Sequence, residues 1–196
     1  MNYTYNDPYC LNIPLTKIDK IQIFGDYIIA ILTVICLYIF TLLNVIPYWY
    51  TYLFLTGFLL TCPFEYIQPR IGWVYYYKCA TYKIAPIKIM WIIHSIWDSL
   101  ILFLLTFTTY LIWGSQIFQS FHYNVAFYVS FIGMVQEILL ECYQTVWYYI
   151  PNKYNPTWAI IRGRNMTLQQ WHWSILPIIY YIIIIHFIYP TYLNFS

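Results

Sequence analysis

Two pairs of ionisable residues stand inside long apolar runs of the chain. His94 and Asp98 are four positions apart, and Glu137 and Glu141 repeat that spacing further along. Residues at i and i+4 lie on the same face of a helix, so each pair forms a polar stripe. One histidine and three carboxylates at close range are not all charged in a medium of low dielectric constant. Such a cluster suits a proton-transfer site, a cation site or an acid/base pair.

The composition indicates the environment of these stripes. Of the 196 residues, 62% are hydrophobic, 23% are aromatic and only 8% are charged, against about 25% charged in soluble proteins. This composition predicts an all-α, polytopic membrane protein, and it excludes a soluble enzyme and a disordered chain. The net charge of +2 and the lack of a basic patch exclude a nucleic-acid partner.

Five apolar runs are long enough to cross a bilayer core of about 30 Å as helices. They show no alternation of polar and apolar residues, which excludes the strands of a membrane barrel. The expected spans are 26–45, 48–64, 86–113, 124–150 and 171–189. Pro47 and Pro63 are expected to start and stop the second span, and the short connection 44–47 predicts a tight antiparallel hairpin. We expect one bundle and a single membrane domain, residues 1–196.

The basic residues predict the orientation of this bundle. If five helices cross in turn, one membrane face receives the N-terminal tail 1–25, the second-to-third loop with its flanks, and the fourth-to-fifth loop. Those segments hold all nine Lys and Arg residues. The positive-inside rule then places the N-terminal tail in the cytosol or the mitochondrial matrix, and the C-terminal tail 190–196 outside. The polar first 20 residues do not resemble a cleavable signal, and we expect the mitochondrial inner membrane or the endoplasmic reticulum.

The helical rise predicts how deep each polar residue lies. Counted from the inner face at 1.5 Å per residue, His94 lies about 9 Å deep and Asp98 about 15 Å deep. The same count gives about 14 Å for Glu141 and about 20 Å for Glu137. Two facing stripes at matched depth predict a buried polar site between helices 3 and 4, with these four residues as candidate catalytic groups. The simpler interpretation is that the stripes only join the helices through hydrogen bonds.

Further residues are candidates for contacts to lipid or substrate. Trp91 precedes the His94 stripe by one turn, Gln144 continues the Glu137 stripe, and Trp171 flanks the inner end of the last helix. Arg162 and Arg164 lie in the loop before that helix, where they face anionic headgroups or bind a substrate phosphate.

Two more polar positions are expected at the inner interface. Glu65 follows Pro63, and we expect either an ion pair with Arg70 or a role in closing the buried site from below. His172 stands between two tryptophans, which predicts an interfacial side chain.

No metal or cofactor is expected. The five cysteines are scattered without a C-x-x-C pair, and the Glu-x-x-His motif of carboxylate-bridged metal sites does not occur.

The spacing of His94 and Asp98, together with Trp171 or Trp173 in the last helix, is similar to emopamil-binding-type sterol isomerases. Those are small five-helix membrane proteins with an intramembrane histidine and carboxylates lined by aromatic rings. In this chain the histidine lies in the third helix rather than the second, and Asp98 stands in place of glutamate. No sterol activity is carried over from this resemblance.

Two functions remain open at this stage. The favoured one is a non-catalytic accessory or structural subunit of a membrane complex, in an organelle or a virus, with membrane lipid and other membrane proteins as partners. The alternative is an intramembrane protein that binds a small lipid-like or sterol-like molecule, or an acid/base enzyme that uses the cluster between helices 3 and 4.

Overall fold

The computed structural model describes residues 10–11, 17–67, 77–78, 90–143, 160–161 and 164–193. Helices make up nearly all of these ranges. They are α1 (Lys17–Leu42), α2 (Tyr48–Ile67), α3 (Met90–Trp113), α4 (Tyr123–Tyr143), α5 (Met166–Ile183) and α6 (Tyr189–Leu193). A 3-10 turn, Ser115–Phe118, follows α3, and a π-helical turn, Ile184–Ile188, joins α5 to α6.

Four two-residue strands lie outside the helices. β1 (Cys10–Leu11) pairs in parallel with β2 (Tyr77–Lys78). β3 (Ile160–Ile161) pairs antiparallel with β4 (Arg164–Asn165), just before α5 begins. The predicted helical class is therefore confirmed, with these short ladders as local features of the connections.

Within the described part of the chain, three helical segments are long and apolar enough to cross a membrane. They are Phe24–Leu42, Trp91–Trp113 and Trp171–Thr191. A shorter apolar helix covers Tyr123–Leu139. α2 has the length of a span at 20 residues, but its tyrosines, threonines and one glutamate make it less apolar than the three. The count of five spans stays a prediction.

The connection between α1 and α2 is the tight turn that the sequence predicts. Asn44 has a positive φ of 54°, the left-handed conformation that commonly ends a helix and that asparagine tolerates. The hydroxyl oxygens of Thr41 and Thr51 are 2.7 Å apart, so the two helices run antiparallel away from the turn.

Two prolines lie inside helices rather than at their ends. α2 continues through Pro63 to Ile67, so the prediction that Pro63 stops this helix was wrong. Pro177 lies likewise inside α5. A proline removes one backbone donor from the helix ladder, but membrane helices tolerate this where neighbouring groups satisfy the freed carbonyl.

Small and hydroxylated residues bring α2 and α3 together. Ser99 donates its hydroxyl to the carbonyl of Phe54, and Thr61 donates to the carbonyl of Ser95 at 3.2 Å. Gly57 lies against Ser99, where an added Cβ would be 2.9 Å from the serine Oγ. These contacts put the end of α2 beside the start of α3, so the two helices are antiparallel.

α4 and α5 cross at a second glycine. An added Cβ on Gly133 would lie 2.5 Å from the carbonyl oxygen of Trp173 and 3.0 Å from Cγ of Pro177. Small residues allow such close backbone approach between membrane helices. Near the other end of α4, the Tyr181 hydroxyl donates to the carbonyl of Ile117 at 2.7 Å. α4 and α5 are therefore antiparallel as well.

α1 lies at the edge of this arrangement. Tyr27, Ala30 and Thr41 are the buried residues among its described side chains, and most of its aliphatic side chains are exposed. The core instead runs along α5, where Trp173, Leu176 and Tyr180 are almost fully buried.

Candidate functional site

The bundle has two unlike ends. α2 and α4 end, and α3 and α5 begin, at what we call the polar end. Among the described residues there, the side chains of Glu65, His94 and Glu137 are buried, and the half-buried His172 has buried ring nitrogens. We call the opposite end the aromatic end. Its rings pack on one another and belong to Trp49, Tyr50, Tyr110, Phe118 and Tyr189.

Contacts between the helices place the polar residues within about one helical turn of a common level along the bundle axis. Phe64 of α2 meets His172 of α5, with ring centroids 4.7 Å apart. Thr61 of α2 meets Ser95 of α3, beside His94. The position of Glu137 follows from the crossing at Gly133, because Glu137 is one turn further along α4 toward the start of α5. The polar end thus draws one ionisable residue from each of four helices.

The His94 stripe on α3 is only partly buried. His94 is 7% exposed, whereas Asp98 is half-buried. Both residues interact with other groups of the protein. The half-buried Trp91 packs edge-on against Tyr66, with ring centroids 5.4 Å apart, and so covers the start of α3. The placement of His94 and Asp98 is compatible with the predicted site, and their catalytic role stays a prediction.

On α4, Glu137 is buried at 5% exposed, and it too has an interaction partner in the protein. The side chain of Glu141, one turn further, is outside the described part of the structure, so its predicted level with Asp98 is untested. Gln136 precedes Glu137, and its Nε2 is buried without a hydrogen-bond partner among the described residues.

Glu65 is more buried than the sequence indicated. Its side chain is 6% exposed at the end of α2 and has an interaction partner, which places it inside the bundle rather than at the surface. The predicted partner Arg70 lies outside the described residues. The alternative expectation, that Glu65 closes the polar site, fits this burial.

The side chain of His172 is half-buried, and its predicted place at the membrane interface stays a prediction. Both of its ring nitrogens are buried and have no hydrogen-bond partner among the described residues. Its ring lies against Phe64 and against Trp173, the latter at 5.7 Å between centroids. A histidine between two tryptophans is a typical interface pattern, so sequence spacing alone carries no signal for this burial.

The remaining predicted contact residues are less informative. Trp171 is 63% exposed at the start of α5, in keeping with a lipid contact. Gln144 and Arg162 lie outside the described residues, and of Arg164 only the backbone, in β4, is described.

Metal binding has no geometric support in the described part of the chain. Within those residues, no three His, Cys, Asp or Glu side chains come close enough to hold a metal ion.

The aromatic end has a cleft of a different kind. It lies between α2, α3 and the 3-10 turn, is lined mainly by aromatic rings such as Tyr50 and Phe107, and has no room for a water molecule. Sites for drug-sized ligands measure roughly 300–1,000 Å³, so this cleft is a packing gap rather than a ligand site.

Comparison of the chain with protein families, with curated proteins and with solved structures gave no match. Function is therefore inferred from the residues of this chain alone.

Proposed function

We propose that the chain is a multi-pass membrane protein with five spanning helices that serves as a non-catalytic accessory or structural subunit of a membrane complex. The N-terminal tail lies on the cytosolic or matrix side and the C-terminal tail on the opposite side, in an organelle or viral membrane. The observation that carries this proposal is the position of α1 at the edge of the bundle.

α1 presents an apolar stripe to its surroundings. Ile31, Ile35, Tyr38 and Leu42 recur at helical spacing and are between 46% and 64% exposed. The stripe contains large side chains instead of the small ones that bring helices of one chain together. We propose that α1 contacts helices of a partner protein here, with lipid covering the rest of its surface.

A purification from native membranes tests this proposal. The tagged full-length chain, extracted in a mild detergent, should bring down at least one membrane protein in a fixed ratio. Replacing Ile35 and Tyr38 by tryptophan and alanine respectively changes the shape of the stripe without adding charge. The variant should lose the partner.

A matched control comes from α4. Phe127 is 72% exposed on another helix of the bundle, so Phe127→Ala should leave the partner bound. The accessory-subunit proposal fails if no protein co-purifies in a fixed ratio, or if both variants lose the same partner equally.

A second candidate function is favoured by the polar end. Glu65, His94 and Glu137 are all buried, and ionisable groups inside a membrane bundle are costly and often mark a pathway or a ligand site. We propose that they bind a small lipid-like molecule or take part in acid/base chemistry on it.

Native mass spectrometry distinguishes this candidate from the first. The protein extracted with its own lipids should carry one bound small molecule in a fixed ratio. Glu137→Leu should lose that molecule, whereas Glu137→Gln, which keeps hydrogen-bonding capacity, should retain part of it. A folded parent protein without any such molecule contradicts the second candidate only.

A further inference from the structure

His172 combines burial with unused hydrogen-bonding capacity. Its two ring nitrogens offer one donor and one acceptor when the imidazole is neutral, and neither is paired with a described residue. A buried polar group without a partner is costly, and more so where lipid replaces water as the surrounding medium. The residue thus needs an explanation that packing does not provide.

Two aromatic rings lie against the imidazole of His172. Phe64 stands on one side at 4.7 Å between centroids with an interplanar angle of 34°, and Trp173 follows in the chain. Phe64 is itself 40% exposed and neighbouring Trp171 is 63% exposed, so the ring lies close to the lipid-facing surface.

A second unpaired donor lies at the same helix crossing. Gln136 Nε2 is buried without a described partner, and Gln136 is three positions along α4 from Gly133, which touches the Trp173 carbonyl. One unpaired polar group of α4 and one of α5 thus lie within about one helical turn of this crossing. Together they indicate a polar occupant that both groups contact.

The chemistry of that occupant follows from its neighbours. Phe64 and Trp173, the described rings against His172, carry no charge, and Glu65 and Glu137 at the same end already interact with other groups of the protein, so a neutral occupant fits this site. A hydroxyl group both donates and accepts a hydrogen bond, which matches an imidazole acceptor and an amide donor together. His172 is the second residue of the apolar segment Trp171–Thr191, so in the proposed topology it lies near the membrane boundary, where the hydroxyl group of a neutral lipid also lies.

We propose that His172, with Gln136, binds the hydroxyl group of a neutral membrane lipid that enters the polar end past Phe64. Diacylglycerols and sterols share this chemistry: one hydroxyl on an apolar body. The inference deepens the second candidate function and is independent of the partner protein in the first.

The full-length chain in phosphatidylcholine nanodiscs provides the test. One arm contains a photoreactive diacylglycerol, and a second arm contains a photoreactive sterol. Each arm is repeated with the same probe acetylated at its hydroxyl. At least one hydroxylated probe should label peptides of α2 or α5 around Phe64 and His172, about fivefold to tenfold more strongly than its acetylated form, as expected for one lost hydrogen bond.

Variants assign the labelling to the imidazole. His172→Phe keeps an aromatic ring of similar size and should reduce labelling by about the same factor. His172→Gln keeps a donor and an acceptor and should restore part of it. His186→Phe is the matched control, because His186 is an exposed histidine in the π-helical turn that continues the same helix, and it should leave labelling unchanged.

Several results would overturn the inference. They are equal labelling of the parent protein and a folded His172→Phe variant, equal labelling by acetylated and hydroxylated probes, and absence of labelling in both arms. Resonances of ¹⁵N-labelled His172 that do not change when either lipid is added would also overturn it, since they would mean that water alone pairs the ring. Loss of labelling in His172→Phe without a parallel loss of the partner protein separates this inference from the accessory-subunit proposal.

Discussion

The aromatic end and the polar end differ in whether their buried polar atoms have hydrogen-bond partners among the described residues. At and near the aromatic end, tyrosine hydroxyls find backbone acceptors: Tyr180 donates to the carbonyl of Leu53, and Tyr181 to that of Ile117, both at 2.7 Å. At the polar end, His172 and Gln136 retain buried atoms without a described partner. Among the described residues, the tyrosine hydroxyls of one end are thus paired within the fold, whereas two side chains at the other end keep unpaired atoms, which we propose pair with another molecule.

The physical cost explains why this difference matters. A buried hydroxyl that pairs with a carbonyl stabilises the fold slightly, while an unpaired buried group costs more than a pair gains. If His172 only filled space, an apolar residue at this position would give the same or greater stability. Its presence at the polar end therefore favours a role in binding, and the aromatic end is the structural half of the molecule. Four variants should separate these roles.

The largest effect is expected at the aromatic end. Phe118 is 3% exposed and packs against Trp49, Tyr110 and Tyr189. Phe118→Ala should lower the free energy of unfolding by about 3–5 kcal/mol, since it removes a whole ring from a packed cluster. Denaturant titration in detergent micelles measures this. Phe127→Ala, at an exposed position, should change stability by less than about 0.5 kcal/mol; equal losses would contradict the packing role of Phe118.

A smaller loss is expected at the crossing of α4 and α5. Gly133→Ala forces a methyl group against the Trp173 carbonyl, a backbone atom that cannot rotate away. We expect a loss of about 1–3 kcal/mol and a disturbance of the neighbouring polar end. Gly25→Ala is the control, because nothing lies within 4 Å of its added Cβ, and alanine favours the helix. If both variants behave alike in the same titration, the close approach of the two helices is wrong.

A single hydrogen bond should matter less. Tyr180→Phe keeps the buried ring and removes the bond to Leu53 between α5 and α2. The expected loss is about 0.5–1.5 kcal/mol. Tyr123→Phe provides the comparison, since Tyr123 is 83% exposed and should tolerate the change. Thermal unfolding of both variants in one detergent measures the difference, and an unchanged Tyr180→Phe protein would mean that this bond contributes nothing.

The smallest effect on stability is expected at His172. In detergent without added lipid, His172→Phe should change the free energy of unfolding by no more than about 0.5 kcal/mol, or raise it, because it replaces an unpaired buried group by an apolar ring. The same titration gives the value. A loss above about 2 kcal/mol would show that His172 is a structural residue like those of the aromatic end.

Much of the helical architecture could be predicted from the sequence. Apolar runs and the Asn44 turn predicted the helices and the α1–α2 hairpin, because lipid leaves a backbone few alternatives to a helix. The stop at Pro63 was predicted wrongly, since the rule for prolines in water overlooks the tolerance of membrane helices.

The candidate site could be predicted from the sequence only in part. The i,i+4 spacing identified the stripes of His94 and Glu137, but it gives the face of one helix and not the neighbour that covers it. Glu65 and His172 stand at helix ends, where sequence rules predict interfacial side chains. Their burial depends on how α2, α4 and α5 cross, and the crossing is set by the close approach at Gly133 and by the Phe64 contact, which no local pattern reveals.

Topology provides the most direct test of the membrane bundle with two unlike ends. α1 begins at the polar end and α6 follows the aromatic end, so a tag on each terminus of the full chain reports the membrane side of each end. With five spans, a membrane-impermeant reagent added from the cytosolic or matrix side should reach the N-terminal tag and not the C-terminal tag. Both tags on the same side would mean an even number of crossings and would contradict the account.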